Sequence, residues 1–384
     1  MLRVVNIVGT RPNLVKMSPV LAAQRARPGQ FESLLVHTGQ HRDPAMSAQL
    51  LAELELPTPD VTLDLPAEGQ EEAVERLRIG LEAVLRRLRP DLVIVVGDVN
   101  STAAGALAAA GLGIPIAHVE AGLRSFDLSM PEEVNRLLVD SLSDHLFASE
   151  TSGLFHLARE GCAGVVHHSG NVMIDSLVRF RARSRHRNPA AAVGVDGPYA
   201  ALTLHRPSNV DSFAKLAPLI EAMVAASRRI PILFPVHPRT RDRLRAFGLN
   251  PAREGLRPID PLGYVDMLAL IERASIVLTD SGGLQEETTY LGVPCLTLRE
   301  NTERPATVTD GTNRVIGTEP ERIGHEIERL LAGDRPPPRR PPLWDGQAAE
   351  RIVQVLAEWG DSRQPLVRAA ESMELSEGSA CASS

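Results

Sequence analysis

Short runs of Val, Ile, Leu and Ala alternate along the chain with longer stretches whose apolar residues recur at helical spacing. This alternation predicts βαβ units and parallel sheets. In the first half, VVNIVG (4–9), SLLVHTG (33–39), DLVIVVGD (91–98), PIAHVEAG (115–122) and HLFASE (145–150) read as strands. Between them, EEAVERLRIGLEAVLRRLR (71–89) has an amphipathic helical period. PEEVNRLLVDSLSD (131–144) has one too, with Pro131 in the first turn and Val134, Leu137, Leu138 and Leu142 on one stripe. The run 176–198 is basic, then Pro- and Gly-containing, and reads as a linker. The alternation restarts with AALTLH, PILFPVH, RPID, SIVLTD and PCLTLR as strands. The expectation is an α/β protein of two Rossmann-like domains, 1–176 and 199–334, whose parallel sheets face a central cleft. Ligands in such folds sit at the carboxyl ends of the strands. RPPPRRPPLW (335–344) reads as a connector, 345–359 as a last helix and 361–384 as a disordered tail.

Composition narrows the function more than the fold. At 384 residues the chain suits two domains, and 43% hydrophobic residues can fill both cores. Net charge is −7 with the signs interspersed, so neither a nucleic-acid nor a membrane surface is expected. No segment approaches the roughly 20 apolar residues of a membrane-spanning helix, and the N-terminal apolar run is too short for a signal peptide. A soluble, cytoplasmic protein is therefore expected. Cys162, Cys295 and Cys381 lie far apart with no CxxC spacing, so no disulfide framework or zinc knuckle is suggested. Arginine dominates the basic residues. Lys16 is one of two lysines, placed where a compact ammonium suits better than a planar fork.

Polar clusters follow the apolar strands. GTRPNLVK places Arg11 and Lys16 beside a glycine turn; it is neither a GxGxxG nor a Walker loop, and neither pattern occurs in the chain. Asp98 ends a very apolar strand, where burial is expected to raise its pKa toward acid/base values, although helix capping is the plainer role there. Glu120 ends another buried strand and is a poor candidate for a cap. Glu132 and Glu133 open a helix, where acidic residues also complement the dipole. Three carboxylates at successive strand ends make a plausible proton-handling group. In the second half, His205 with Arg206 and His237 with Arg239 follow strands and could face phosphates. In LTDSGGLQEE, Ser281, Gly282 and Gly283 open a helix suited to a phosphate, Glu287 could grip a ribose diol, and Arg304 follows downstream.

Taken in order, GTRPNLVKMSP, HTGQHRD, GDVNST, HVEAGLRS, MPEEVNR, GNVMIDSL, LTLHRPSNVD, PVHPRT, DSGGLQEE and TERPATVTDGTNRVIG resemble the motif set of the non-hydrolysing UDP-N-acetylglucosamine 2-epimerases. The resemblance runs from about residue 3 to the helix ending near 359. It implies a GT-B-like fold with the last helix returning to the first domain, and a homodimer. It implies reversible conversion of UDP-GlcNAc to UDP-ManNAc for surface polysaccharide, without cofactor or metal: UDP leaves, a glycal forms, and UDP adds back. Carried over by motif, Asp98, Glu120 and Glu132 handle protons and His205 stabilises departing UDP. Arg11 and Lys16 line the cleft, as does His237. Ser281, Gly282, Gly283 and Arg304 hold the diphosphate, and Glu287 the ribose. A hydrolysing epimerase shares most of these motifs; a GT-B glycosyltransferase would need an acceptor site, of which the sequence shows no sign, and a silent nucleotide-sugar sensor would lack one of the carboxylates.

Three positions depart from the family pattern. Asn13 stands where many members have Glu. The stretch Gln40, His41, Arg42, Asp43 carries an acid where allosterically regulated members have a second glutamine. The loop Asp260, Pro261, Leu262, Gly263, Tyr264 replaces a Gln-containing loop on the uracil side.

Overall fold

The structure, a computed structural model, describes residues 1–39, 44–63 and 70–362. Gln40–Asp43 and the tail from 363 onward lie outside the described residues, so the expectations for that stretch and for a disordered tail do as well.

Two all-parallel sheets organise the chain. The first contains β1 (Leu2–Val8), β2 (Phe31–His37), β3 (Val61–Thr62), β4 (Leu92–Val96), β5 (Ile116–Ala121), β6 (His145–Ala148) and β7 (Val165–His168), in the order β3-β2-β1-β4-β5-β6-β7. The second contains β8 (Ala200–Thr203), β9 (Ile232–Pro235), β10 (Leu256–Ile259), β11 (Ile276–Thr279), β12 (Cys295–Thr297) and β13 (Asn313–Val315), in the order β10-β9-β8-β11-β12-β13. Leu92–Val96 is buried at every position because helices cover both faces of the sheet. In each sheet the strand order reverses once, beside β1 and β4 in the first and β8 and β11 in the second. The crevice at such a switch point is where α/β sheets bind ligands. The architecture is the GT-B-like pair of Rossmann-type sheets that the motifs implied.

The expected strands all form, but each stops one or two residues before the end of its run, because the residues that close the run lie past the ladder. Three strands, β3, β7 and β13, were not read from the sequence; each is short and their burial is incomplete. Two expectations are corrected. The run 176–198 is largely helical, not a linker. Val172–Ser184 is a helix that buries Leu177 and Phe180, and it packs against the helices Arg11–Arg25 and Tyr264–Arg273. The helix Pro131–Leu142 turns only part of its apolar stripe inward: Leu138 and Leu142 are half-buried against the core of the first sheet. Val134 is 49% exposed, whereas Glu133, Asn135, Arg136, Val139 and Asp140 are buried. Tertiary partners for the polar residues rotate the buried face away from Val134.

The last helix, 348–362, buries Ile352, Val353 and Leu356. Its first N–H groups, on Ala348 and Ala349, donate to the Asp175 carboxylate at 3.1 and 2.7 Å. Trp344 Nε1 donates to the Ser149 carbonyl at 2.9 Å, returning the chain to the end of β6. No helix among the described residues is long and apolar enough to cross a membrane.

Candidate active site

The first-sheet half of the site starts where β1 meets the helix Arg11–Arg25. Asn13 closes that start: its Oδ1 accepts from Thr10 N at 3.2 Å, and its Nδ2 donates to the Val96 carbonyl at 2.8 Å, tying β1 to β4. One turn later Lys16 Nζ lies 2.6 Å from Glu120 Oε1, both side chains buried. Gly97 lies over this pair with φ +69°, and a Cβ there would be 3.2 Å from Lys16 Nζ, so glycine serves both the backbone and the space. Glu120 has φ +74°, and the β5–β6 register shifts between Val119 and Ala121. A bulge of this kind re-aims a side chain, and a left-handed non-glycine residue carries strain of about 1–3 kcal/mol. Glu120 Oε1 also lies 3.1 Å from Arg304 Nη2, while its buried Oε2 lacks a hydrogen-bond partner.

Asp98 pairs with Arg136. Burial alone pushes the Asp98 carboxyl upward, but Arg136, Lys16 and Arg304 together outweigh burial and hold it below its ordinary value. This overturns the expectation of a raised pKa: Asp98 is an ionised carboxylate at neutral pH. Arg136 Nη2 reaches Glu133 Oε2 at 2.6 Å, and Glu133 accepts from the backbone N–H groups of Ser125 and Phe126, both at 2.9 Å. Glu133 therefore anchors the turn after β5. Its neighbour Glu132 is partly exposed, with Oε1 3.3 Å from Arg206 Nη1.

In the second sheet, His205 follows β8 with Nδ1 2.9 Å from Asp280 Oδ1. Buried Asp280 also accepts from Arg206 N at 2.9 Å and Asn209 Nδ2 at 3.2 Å. His237 sits with its ring 5.6 Å from that of His205. Burial first, then the nearby positive and imidazole groups, lower its pKa to about 4, so it is neutral. Its Nδ1 accepts from Arg239 N at 3.2 Å and caps the helix Pro238–Ala246. Arg239 pairs with Asp211 on the surface. Neither residue supplies the positive charge that the sequence suggested for this position.

Helix Gly282–Leu291 opens without a side-chain cap from Ser281. A Cβ on Gly282 would lie 2.7 Å from Arg304 Cζ, whereas one on Gly283 would meet only the Met173 methyl, at 3.1 Å. Gly282, more than Gly283, is thus the position that needs glycine. Arg304 is buried among three carboxylates: Glu303, Glu120 at 3.1 Å and Glu286 at 2.9 Å. Glu287 lies deeper, near Tyr264 and Arg11. Burial, assisted by Glu286, pushes its carboxyl up to about 7. Arg11 Nη1 donates to the Leu262 carbonyl at 2.9 Å, and Glu53 Oε1 accepts from Val265 N at 2.8 Å. The first half of the chain therefore holds the 260–264 loop by two hydrogen bonds.

The structure brings Lys16, Asp98, Glu120 and Glu132 against Arg206, Gly282 and Arg304 at the meeting of the two sheets. Arg11, Tyr264 and Glu287 form a neighbouring group. Sequence reasoning missed Arg136, which joins Asp98 to Glu133, and Glu303, which neutralises Arg299 and Arg304. It noted Asp280 only as a strand end. The spacing of Glu133 and Arg136, three apart on one helix, was the available signal for the first. Glu303 offered none.

Comparison with known proteins points the same way. A family model described as UDP-N-acetylglucosamine 2-epimerase matches residues 23–357. The chain is 39% identical over 360 residues to the UDP-N-acetylglucosamine 2-epimerase of Methanocaldococcus jannaschii, covering 91% of this chain and 97% of that one. It is 37% identical over 361 residues to the UDP-2,3-diacetamido-2,3-dideoxy-D-glucuronate 2-epimerase of Pseudomonas aeruginosa, covering 93% and 100%. The crystal structure of the M. jannaschii enzyme in complex with UDP-GlcNAc and UDP superposes with a TM-score of 0.85 at 37% identity, covering 93% and 99%.

Proposed function

This chain belongs to the UDP-N-acetylglucosamine 2-epimerase family, and from that premise we propose that it interconverts UDP-GlcNAc and UDP-ManNAc by elimination and re-addition of UDP, without net hydrolysis. The isomerase class follows from the family. The route is a proposal grounded in chemistry, because the proton on carbon 2 of the sugar is not acidic. Loss of UDP supplies the driving force: a carboxylate takes the proton from carbon 2, the carbon 1–oxygen bond breaks, and its electron pair leaves with the diphosphate. The carbon 1–carbon 2 double bond of a glycal remains. Re-addition of UDP, with a proton delivered to the opposite face of carbon 2, inverts that centre.

The observation that carries this reading is the contact between Glu120, from the first sheet, and Arg304, from the second, 3.1 Å apart and buried. A proton-handling carboxylate and a diphosphate-binding cation lie within hydrogen-bond distance, as coupled loss of proton and UDP requires. Asp98, ionised through Arg136, suits the role of base. Glu132 lies across the seam beside Arg206. His205, oriented by Asp280, is placed to stabilise departing UDP. Lys16, Ser281, Gly282, Gly283 and Arg304 are assigned to the phosphates, and Arg11, His237 and Glu287 to the nucleoside side. The family resemblance adds that the enzyme is a cytoplasmic homodimer supplying ManNAc-type sugars for surface polysaccharide.

Proton NMR of UDP-GlcNAc with purified enzyme in deuterium oxide tests the proposal. The expected result is a growing UDP-ManNAc signal with deuterium at carbon 2. Free ManNAc with UDP would replace the non-hydrolysing reading by the hydrolysing one. Because the P. aeruginosa relative is named for a diacetamido glucuronate, that sugar nucleotide belongs in the same assay. Turnover of it alone would move the substrate assignment.

A further inference from the structure

Arg304 is shared among three buried carboxylates, but those carboxylates are not equally supported. Glu303 has Arg299 at 2.8 Å and Arg206 at 3.6 Å in addition to Arg304. Glu120 has Lys16 at 2.6 Å. Among the described residues Glu286 touches, besides Arg304, the neutral amide of Asn171, accepting from it at 2.9 Å on Oε1, while Lys16 acts on it from beyond contact. Its Oε2 is buried without a hydrogen-bond partner.

Close by lies Glu150, at the end of β6. It is 1% exposed, its Oε1 accepts from Ser152 Oγ at 2.5 Å and from Ala306 N at 3.5 Å, and its Oε2 is likewise buried without a partner. Both carboxylates bridge the two halves of the chain, Glu150 to Ala306 and Glu286 to Asn171. Glu150 is faced by Ser152, the Ala306 N–H, Glu286 and Arg304. Glu286 is faced by Arg304, Glu120, Lys16 and Asn171. Arg304 is the cation common to both.

A diphosphate held at Gly282 would draw on the same guanidinium. The carboxylates in direct contact with a second cation tolerate this, whereas the two that touch none besides Arg304 do not, since an undercompensated buried charge is neutralised instead. We propose that Glu150 and Glu286 form a pair that takes up one proton from solvent when the diphosphate of the substrate binds beside Arg304. This rests on the diphosphate assignment made above. The proton balances the second charge that the diphosphate brings and keeps Arg304 from being divided among too many anions. Burial already raises both carboxyls, Glu150 to about 7.

The consequence is a UDP affinity that weakens as pH rises, approaching about tenfold in Kd per pH unit where one proton is bound on association. Calorimetric titration of the full chain with UDP at pH 8, in buffers of different ionisation enthalpy, reads the proton count directly. At that pH the terminal phosphate of UDP, with a second pKa of about 6, is already ionised. Wild type is expected to take up close to one proton per UDP. Glu150→Gln and Glu286→Gln, which keep the shape of the side chains, are each expected to reduce the uptake below half and flatten the pH dependence of Kd. UDP binding to wild type with no proton uptake overturns the inference and leaves the diphosphate site standing. Full uptake in both variants overturns it too, by placing the proton on another group such as Glu287. Failure of UDP to bind overturns the diphosphate assignment as well.

Discussion

Lys16 Nζ lies 2.6 Å from Glu120 Oε1, with 5% and 2% of the two side chains exposed. The pair explains why a lysine stands here in a chain with only one other, Lys215: the space beneath Gly97 admits a single ammonium. Leaving a buried charge with no partner costs about 3–5 kcal/mol, an upper bound here because Glu120 keeps Arg304 at 3.1 Å. Lys16→Met is expected to lose stability in urea denaturation, by less than that bound, and turnover with it. Lys16→Arg is expected not to restore turnover, because the planar fork meets Gly97. Wild-type kcat in the arginine variant would refute the point-charge requirement.

Asp98→Asn should bind UDP with unchanged affinity while kcat falls roughly 100- to 10,000-fold, the usual contribution of a proton-transfer group. Its stability carries a second signature. Arg136, Lys16 and Arg304 outweigh burial and depress the folded-state pKa, so the stabilisation is present above the unfolded value of about 3.9 and fades as pH falls through the folded one. The melting-temperature difference between wild type and Asp98→Asn is expected to be constant from about pH 5 to about pH 8 and to shrink below about pH 4. A difference that grows on acidification would contradict the assigned sign.

Neighbouring glycines should respond differently to the same substitution. Gly282→Ala drives a methyl into the Arg304 guanidinium, and overpacking of about 1–3 kcal/mol, if taken from binding, corresponds to roughly a 5- to 150-fold loss of UDP affinity. Gly283→Ala meets only the mobile end of Met173 at 3.1 Å and should change affinity less than about twofold. Equal losses in the two variants would mean that the Arg304 contact is not what demands glycine.

Asp280→Asn replaces a carboxylate that accepts from two backbone N–H groups and Asn209 by a group with one acceptor oxygen. A cost of about 1–3 kcal/mol follows from the stranded donors. Because His205 Nδ1 lies 2.9 Å from Asp280, kcat should fall with little change in KM. A change confined to KM would detach His205 from the departure of UDP.

The alternation of strands and helices, the parallel sheets and the gathering of polar residues after the strands were all legible along the chain. Each depends on local periodicity and on residues whose backbone demands, as at Gly97, act within a few positions. Asp98, Glu120, Lys16 and Arg304 could be picked out because charged residues beside very apolar strands have few structural uses. Their partnership could not. Arg136 holds Asp98 from 38 residues away, and Arg304 reaches Glu120 from 184. The inward face of Pro131–Leu142 was legible only in part for the same reason: Glu133 and Arg136 are buried beside it because Ser125, Phe126 and Asp98 receive them. Periodicity records which residues prefer to leave water. Whether a charged residue leaves it, and with which protonation state, depends on counter-charges that only folding brings within reach.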